Sequence, residues 1–283
     1  MPAPGTACYT SGVGKIRAAL VISTLLTALA SCVPGPGPTA YPTPKVTADE
    51  LFAELDAGAR RLETASGAVT ITARTPDGPL PATEHGLAFA RPDSAYVESI
   101  GPMGEIAVVT RVSGGRMAVR YIADGVWAAG AATPQNVERL VGVPLDVGLL
   151  IRALLAEPLV PVTEFSGTVR YVRPEAEGDP TRLALRREDG TRALLITVDP
   201  AGPVLLEQVL YDSADAPVLR VEYSDYAEAD GLPRPFRILL DDYAGSAVEI
   251  FFSSQEVNPA LPEGLFDLTL PAGVRVVELD RVK

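Results

Sequence analysis

The sequence predicts a mainly β protein, one large antiparallel sheet that curls or approaches a barrel, with a few helices beside it. Three observations predict it. Most of the chain alternates apolar and polar residues with a period of two, in short runs broken by turn residues. Asp189-Gly190 between two such runs marks a tight hairpin. Only three segments carry helical signals.

In chain order, residues 1–31 read as a lipoprotein signal peptide. Lys15 and Arg17 form a cationic start, and an apolar run from Ala18 to Ala30 ends in Leu29-Ala30-Ser31-Cys32. That run is shorter than the roughly 20 apolar residues that a bilayer requires. Cleavage before Cys32 makes this thiol the first mature residue and its lipid anchor. The other cysteine, Cys8, goes with the leader, so the mature chain keeps no thiol for a disulfide, a thiolate metal site or covalent catalysis. Residues 32–46 alternate Pro and Gly and form a tether, part stiff and part flexible.

Folded structure is expected over 47–283. Thr47-Ala48-Asp49-Glu50 is a capping box, opening an amphipathic helix with Leu51, Phe52, Leu55, Ala59 and Leu62 on one stripe and an end near Ser66-Gly67. Val69, Ile71 and Ala73 then begin the period-two pattern. It recurs at 86–90, 95–100, 106–112 and 116–122. Seven further runs lie at 167–172, 182–187, 192–198, 204–211, 218–226, 236–240 and 247–252. Asp199-Pro200-Ala201-Gly202 reads as a longer turn. Thr133-Pro134 opens a helix that stops at Gly142, and Pro144 opens a second, Leu145–Ala156. The second is apolar almost all round, so it must be covered on most sides or lie over an apolar cavity.

Charge and composition exclude several functions. The formal charge is −12, and loss of the leader, which has two basic and no acidic residues, deepens it by two. Such a chain repels nucleic-acid phosphates and anionic lipid surfaces. The acyl groups on Cys32 therefore carry the membrane attachment. The only lysines are Lys15, Lys45 and Lys283, and the only histidine is His85. A P-loop, a Schiff base, a Ser–Lys dyad and a multi-histidine zinc site are all excluded. His85 reads as a solvated residue at a strand end. Asp241-Asp242 point to opposite faces of a strand, which leaves an enzyme built on carboxylates alone as the weakest reading. No catalytic residue, metal or cofactor is expected.

The loop Ile100-Gly101-Pro102-Met103-Gly104 places Met103 between helix-breaking residues. Loop shape alone favours an ordinary type II turn whose methionine folds back onto the sheet.

Three blocks, in order, resemble the LolA/LolB family of lipoprotein carriers, and its outer-membrane lipoprotein LolB most. The first is Gly86-Leu87-Ala88-Phe89-Ala90-Arg91-Pro92 and Ala95-Tyr96-Val97-Glu98, leading into the 101–104 loop. The second runs from Val137 through Gly142-Val143-Pro144-Leu145 to Glu157-Pro158, with Glu157 where the family carries glycine. The third is Gly231-Leu232-Pro233-Arg234-Pro235-Phe236-Arg237-Ile238, then Phe266-Asp267-Leu268-Thr269-Leu270-Pro271-Ala272-Gly273-Val274.

The resemblance implies an incomplete antiparallel barrel with a helical lid, enclosing an apolar cavity for acyl chains. It implies that Pro102, Met103 and Gly104 form a membrane-insertion loop, Met103 standing where LolB has an exposed leucine. Leu87, Phe89, Val97, Val119, Tyr121, Leu150 and Leu154 are the expected cavity residues. The implied function is to accept acyl chains of lipoproteins or lipids, from a LolA-like periplasmic carrier, and pass them to the membrane. A non-enzymatic sensor, a carrier of another lipid or an assembly subunit on the same fold is the alternative. Val33, where an Asp would resemble an inner-membrane retention signal, points to the outer membrane, with the domain facing the periplasm.

Overall fold

The computed structural model describes residues 46–141, 143–172, 179–199 and 204–279, without the side chains of 140 and 141. Cys32, the 1–31 leader, the tether up to Lys45 and most of the 199–202 turn lie outside the described residues. The described part belongs to one compact unit, Thr43–Lys283.

The first helix, α1 (Ala48–Ala59), opens on the expected capping box. The Thr47 hydroxyl accepts from the Glu50 amide at 3.2 Å, and the Glu50 carboxylate accepts from the Thr47 amide at 2.7 Å. Phe52, Leu55 and Ala59 form its buried face. It ends at Ala59, earlier than the apolar stripe predicts, because Thr64, Ala65 and Ser66 already belong to a strand. Their backbone groups are spent on sheet partners on both sides. Leu62 stays buried in the connecting turn.

That strand, β1 (Thr64–Thr75), is the seam of the molecule. On one side β3 (Thr83–Ala90), β4 (Ser94–Ile100), β5 (Ile106–Ser113), β6 (Arg116–Tyr121) and β7 (Val126–Ala131) follow as an antiparallel meander. The short β2 (Gly78–Pro79) pairs with the far end of β1. The helices α2 (Pro134–Val141) and α3 (Val147–Leu154) come next in the chain. A second meander then runs through β8 (Thr168–Val172), β9 (Thr181–Arg186), β10 (Arg192–Val198) and β11 (Leu205–Tyr211). It continues through β12 (Pro217–Ala229), β13 (Leu232–Asp241) and β14 (Ala247–Val257), which pairs with β1. Gly67 is required at that seam, because a Cβ there would sit 2.3 Å from the Ser254 carbonyl oxygen. Asp189-Gly190 makes the expected hairpin, Gly190 taking φ +86°.

A last strand, β15 (Arg275–Glu278), pairs parallel to β7. Strands β8 and β15 end the hydrogen-bonded order and pair on one side only among the described residues. The sheet is thus an incomplete barrel, as the sequence predicts. Strands β7 and β15 escape the period-two reading. Trp-Ala-Ala-Gly-Ala has little β propensity, and a four-residue parallel edge strand leaves little pattern.

One face of the sheet turns inward. The paired row Leu87, Val97, Thr110, Val119 and Ala128 crosses β3 to β7 on that face, and its apolar members share one core with Phe52 and Leu55 of α1 and Ile151 of α3. The third helix starts at Val147 rather than Leu145, because the Asp146 carboxylate caps it by accepting from the Gly148 and Leu149 amides. It ends where Ala156 turns left-handed at φ +52°. Apolar on most sides, with Arg152 the exception, it is covered: Val147, Ile151, Ala153 and Leu154 are buried, and Leu149 and Leu150 pack against the core.

One smaller expectation changes. His85 is half-buried rather than solvated, because it lies two residues before Leu87 on the inward side of β3. Its Nδ1 lies 3.1 Å from the Ser99 hydroxyl and its Nε2 2.7 Å from that of Thr83, and burial holds its pKa below the ordinary histidine value. Asp241 and Asp242 are turn-formers whose carboxylates accept amides of Tyr243, Ala244 and Ser246.

Candidate ligand cavity

All β strands of the two meanders share two ends. At one lie the starts of β1, β11 and β13, together with the C-terminal ends of α1 and α3. A cavity of about 250 Å³ opens there. Leu55, Gly58, Ala59 and Leu62 form one wall, Leu155 and Ala156 a second, and Val204, Leu205, Tyr226, Leu232 and Pro233 a third. Glu54, Arg61 and Arg234 complete the lining; the first two are exposed at its rim, whereas Arg234 is only 4% exposed.

Buried polar groups gather next to this cavity and tie the ends of the two helices to the sheet. Arg91 donates from Nε to the Leu62 carbonyl at 2.5 Å and from a terminal nitrogen to that of Ala59 at 2.7 Å. It also forks onto the Glu157 carboxylate, which Arg152 approaches to 3.4 Å. Burial pushes the Glu157 carboxyl up to about 7, against the opposing pull of Arg91 and Arg152. Gln208 donates to the Glu157 backbone carbonyl at 2.7 Å and to the Tyr223 hydroxyl at 3.0 Å, and accepts from the Leu159 amide. Arg234 donates to the carbonyls of Leu155 at 2.5 Å and Leu154 at 2.9 Å, which are the open C-terminal carbonyls of α3. Burial is the main force on the nearby Tyr226, raising its pKa, while its hydroxyl donates to the Leu205 carbonyl at 2.5 Å.

The seven expected cavity residues lie elsewhere. Leu87, Phe89, Val119 and Leu154 are buried members of the core, and Val97, Tyr121 and Leu150 pack against it. They belong to, or pack against, the core that the helices share with the sheet, and none lines the open volume at the helix ends. Leu155, the neighbour of Leu154, is the α3-end residue that does line it. Sequence reasoning missed Arg91, Arg234, Gln208 and Tyr226. One signal for Arg234 was available: it falls in phase with Phe236, Ile238 and Leu240, so the alternation of β13 points a guanidinium inward.

The 101–104 loop is at the opposite end of the strands, joining the end of β4 to the start of β5. The Gly104 amide donates to the Gly101 carbonyl at 2.9 Å, closing the turn, with Gly104 at φ +82°. Met103 does not fold back. It is 91% exposed, and Ile106 and Ile122 add exposed apolar surface at the same end. Among the described residues there is no helix long and apolar enough to cross a membrane, and no cluster of side chains suited to hold a metal ion.

No family model matches the chain, and no curated protein matches it. Solved structures do. A LolA superfamily protein from Nitrosomonas europaea superposes with a TM-score of 0.51 at 17% identity, covering 78% of this chain and 97% of that one. A putative outer membrane lipoprotein-sorting protein domain from Vibrio parahaemolyticus gives 0.50 at 13%, covering 77% and 95%. A DUF1329 family protein from Desulfovibrio piger gives 0.50 at 14%, covering 78% and 96%. At such identities the likeness is one of fold: an open antiparallel sheet wrapped round a few helices.

Proposed function

We propose that this chain is a cell-envelope lipoprotein of the LolB type. Anchored through acylated Cys32 in the outer membrane, it takes acyl chains of lipoproteins or lipids into an apolar cavity and passes them to the bilayer. The observation that carries this reading is the cavity itself, an open space of about 250 Å³ between α1, α3 and the sheet, walled largely by apolar side chains with Glu54, Arg61 and Arg234 completing it. Apolar walls gain about 25 cal/mol for each Å² of chain surface they take from water, so transfer needs no cofactor and no covalent step. A chain moves because carrier, cavity and membrane differ in the apolar burial they offer. A LolA-like periplasmic carrier is the natural donor. The lack of a lysine in the described residues and the single half-buried histidine fit a binding protein rather than an enzyme.

The exposed Met103 supports delivery at the end of the strands opposite the cavity. In this reading the methionine dips into the interface between water and lipid, and the tether sets how far the domain reaches. The test is transfer of a fluorescent acyl chain from the loaded domain to liposomes. Met103→Glu should leave the melting temperature and chain uptake unchanged while slowing delivery at least tenfold. Delivery at the wild-type rate would remove the loop from the mechanism.

A further inference from the structure

Arg234 is the buried charged group in the cavity lining, and apolar binding does not use it. Its side chain is almost wholly buried, and it makes no ion pair with a carboxylate among the described residues. Its three acceptors are neutral: the Leu154 and Leu155 carbonyls and, at 3.4 Å, the Gln255 side-chain oxygen. A guanidinium has five N–H groups, so one hydrogen on each terminal nitrogen is left without a described acceptor. Glu157, the nearest buried acid in the same polar cluster, is already spent on Arg91 and Arg152. A buried charge whose hydrogen-bond acceptors are all neutral, with Glu157 attracting it only through space, is costly, and an anion that reaches it offsets that cost. Two free N–H groups on a planar fork match two oxygens of a carboxylate or phosphate.

The volume limits what the anion is attached to. At about 250 Å³ it lies just below the roughly 300–1,000 Å³ of ordinary small-ligand pockets, a size that suits one short chain.

Building on the acyl-chain reading above, we infer that the cavity at Arg234 is a site for a single-chain anionic amphiphile, with the chain between α1 and the β12–β13 hairpin and a carboxylate or phosphate head on the guanidinium. Isothermal titration of the delipidated Thr43–Lys283 unit with decanoate, decyl phosphate and decanol, each below its micelle concentration, tests it. The anions are expected to bind at least tenfold more tightly than the alcohol, and the stronger of the two identifies the natural head. Arg234→Met should erase that preference while leaving decanol binding in place, and Arg234→Lys should retain part of it. Because Arg234 also holds the end of α3, a second variant avoids its removal. Gly58→Leu adds a side chain where a Cβ meets nothing within 4 Å, and should weaken all three probes at least tenfold in a protein that folds normally. Equal affinity of the wild type for decanoate and decanol would overturn the role of Arg234 and leave chain binding standing. Binding of none of the three would overturn both.

Discussion

Glu157 shows how one side chain changes a local rule. The family resemblance places glycine there, and the sequence alone gives no reason for an acid after an apolar helix. Its carboxylate is buried against Arg91, and its carbonyl is held by Gln208. Burial raises its folded pKa from 4.5 to about 7. The folded state therefore binds this proton more tightly than the unfolded chain does. The resulting stabilisation is complete below pH 4.5 and is lost as pH rises through 7. Chemical denaturation of wild type and Glu157→Gln at pH 5 and pH 8 should show the wild type losing stability relative to the variant, by on the order of 3 kcal/mol. His85, whose pKa is lowered, contributes in the opposite sense in both proteins and cancels in the comparison. Arg91 and Glu157 are 66 residues apart, so no local pattern announces their pairing. Arg234 was readable from its phase on β13, whereas its lack of an acidic partner emerges only from the fold.

Elements were legible where the pattern was long or the chemistry local. The capping box of α1, the Asp-Gly hairpin and the alternating strands of both meanders follow from neighbours in sequence. Errors gather at ends, where tertiary pairing decides: α1 stops early because β1 claims the next residues, and α3 starts late because Asp146 caps it. Two glycines separate these influences. Gly58 lies in α1 with open space at its Cβ, so Gly58→Ala should raise stability by about 0.5–1 kcal/mol through helix propensity alone. Gly67→Ala, forced against the Ser254 carbonyl at the β1–β14 seam, should lower it by roughly 1–3 kcal/mol. Thermal unfolding of both variants checks the pair. Equal effects would mean that the seam is not where the two meanders lock.

For the whole molecule, an antiparallel sheet around an apolar helix was readable, and its openness along β8 and β15 agrees with the family likeness. The cavity's position was not. Seven residues of β3, β4, β6 and α3 were expected to line it, and they instead belong to the shared core or pack against it. The open space lies at the helix ends, beside the polar ties that join Arg91 to the end of α1 and Arg234 of β13 to the end of α3. Cavity and Met103 loop thus stand a strand's length apart, so a chain delivered at the loop must travel along the sheet or leave by the helix end first. In the function proposed above, binding therefore comes before delivery. Native mass spectrometry of the Thr43–Lys283 unit, purified from bacteria without detergent, reads it directly. A fraction of the wild type should carry the added mass of one single-chain lipid, absent from Gly58→Leu. A wild type that runs only at the mass of bare polypeptide, and takes up no added decanoate, would contradict a lipid-binding role for this cavity.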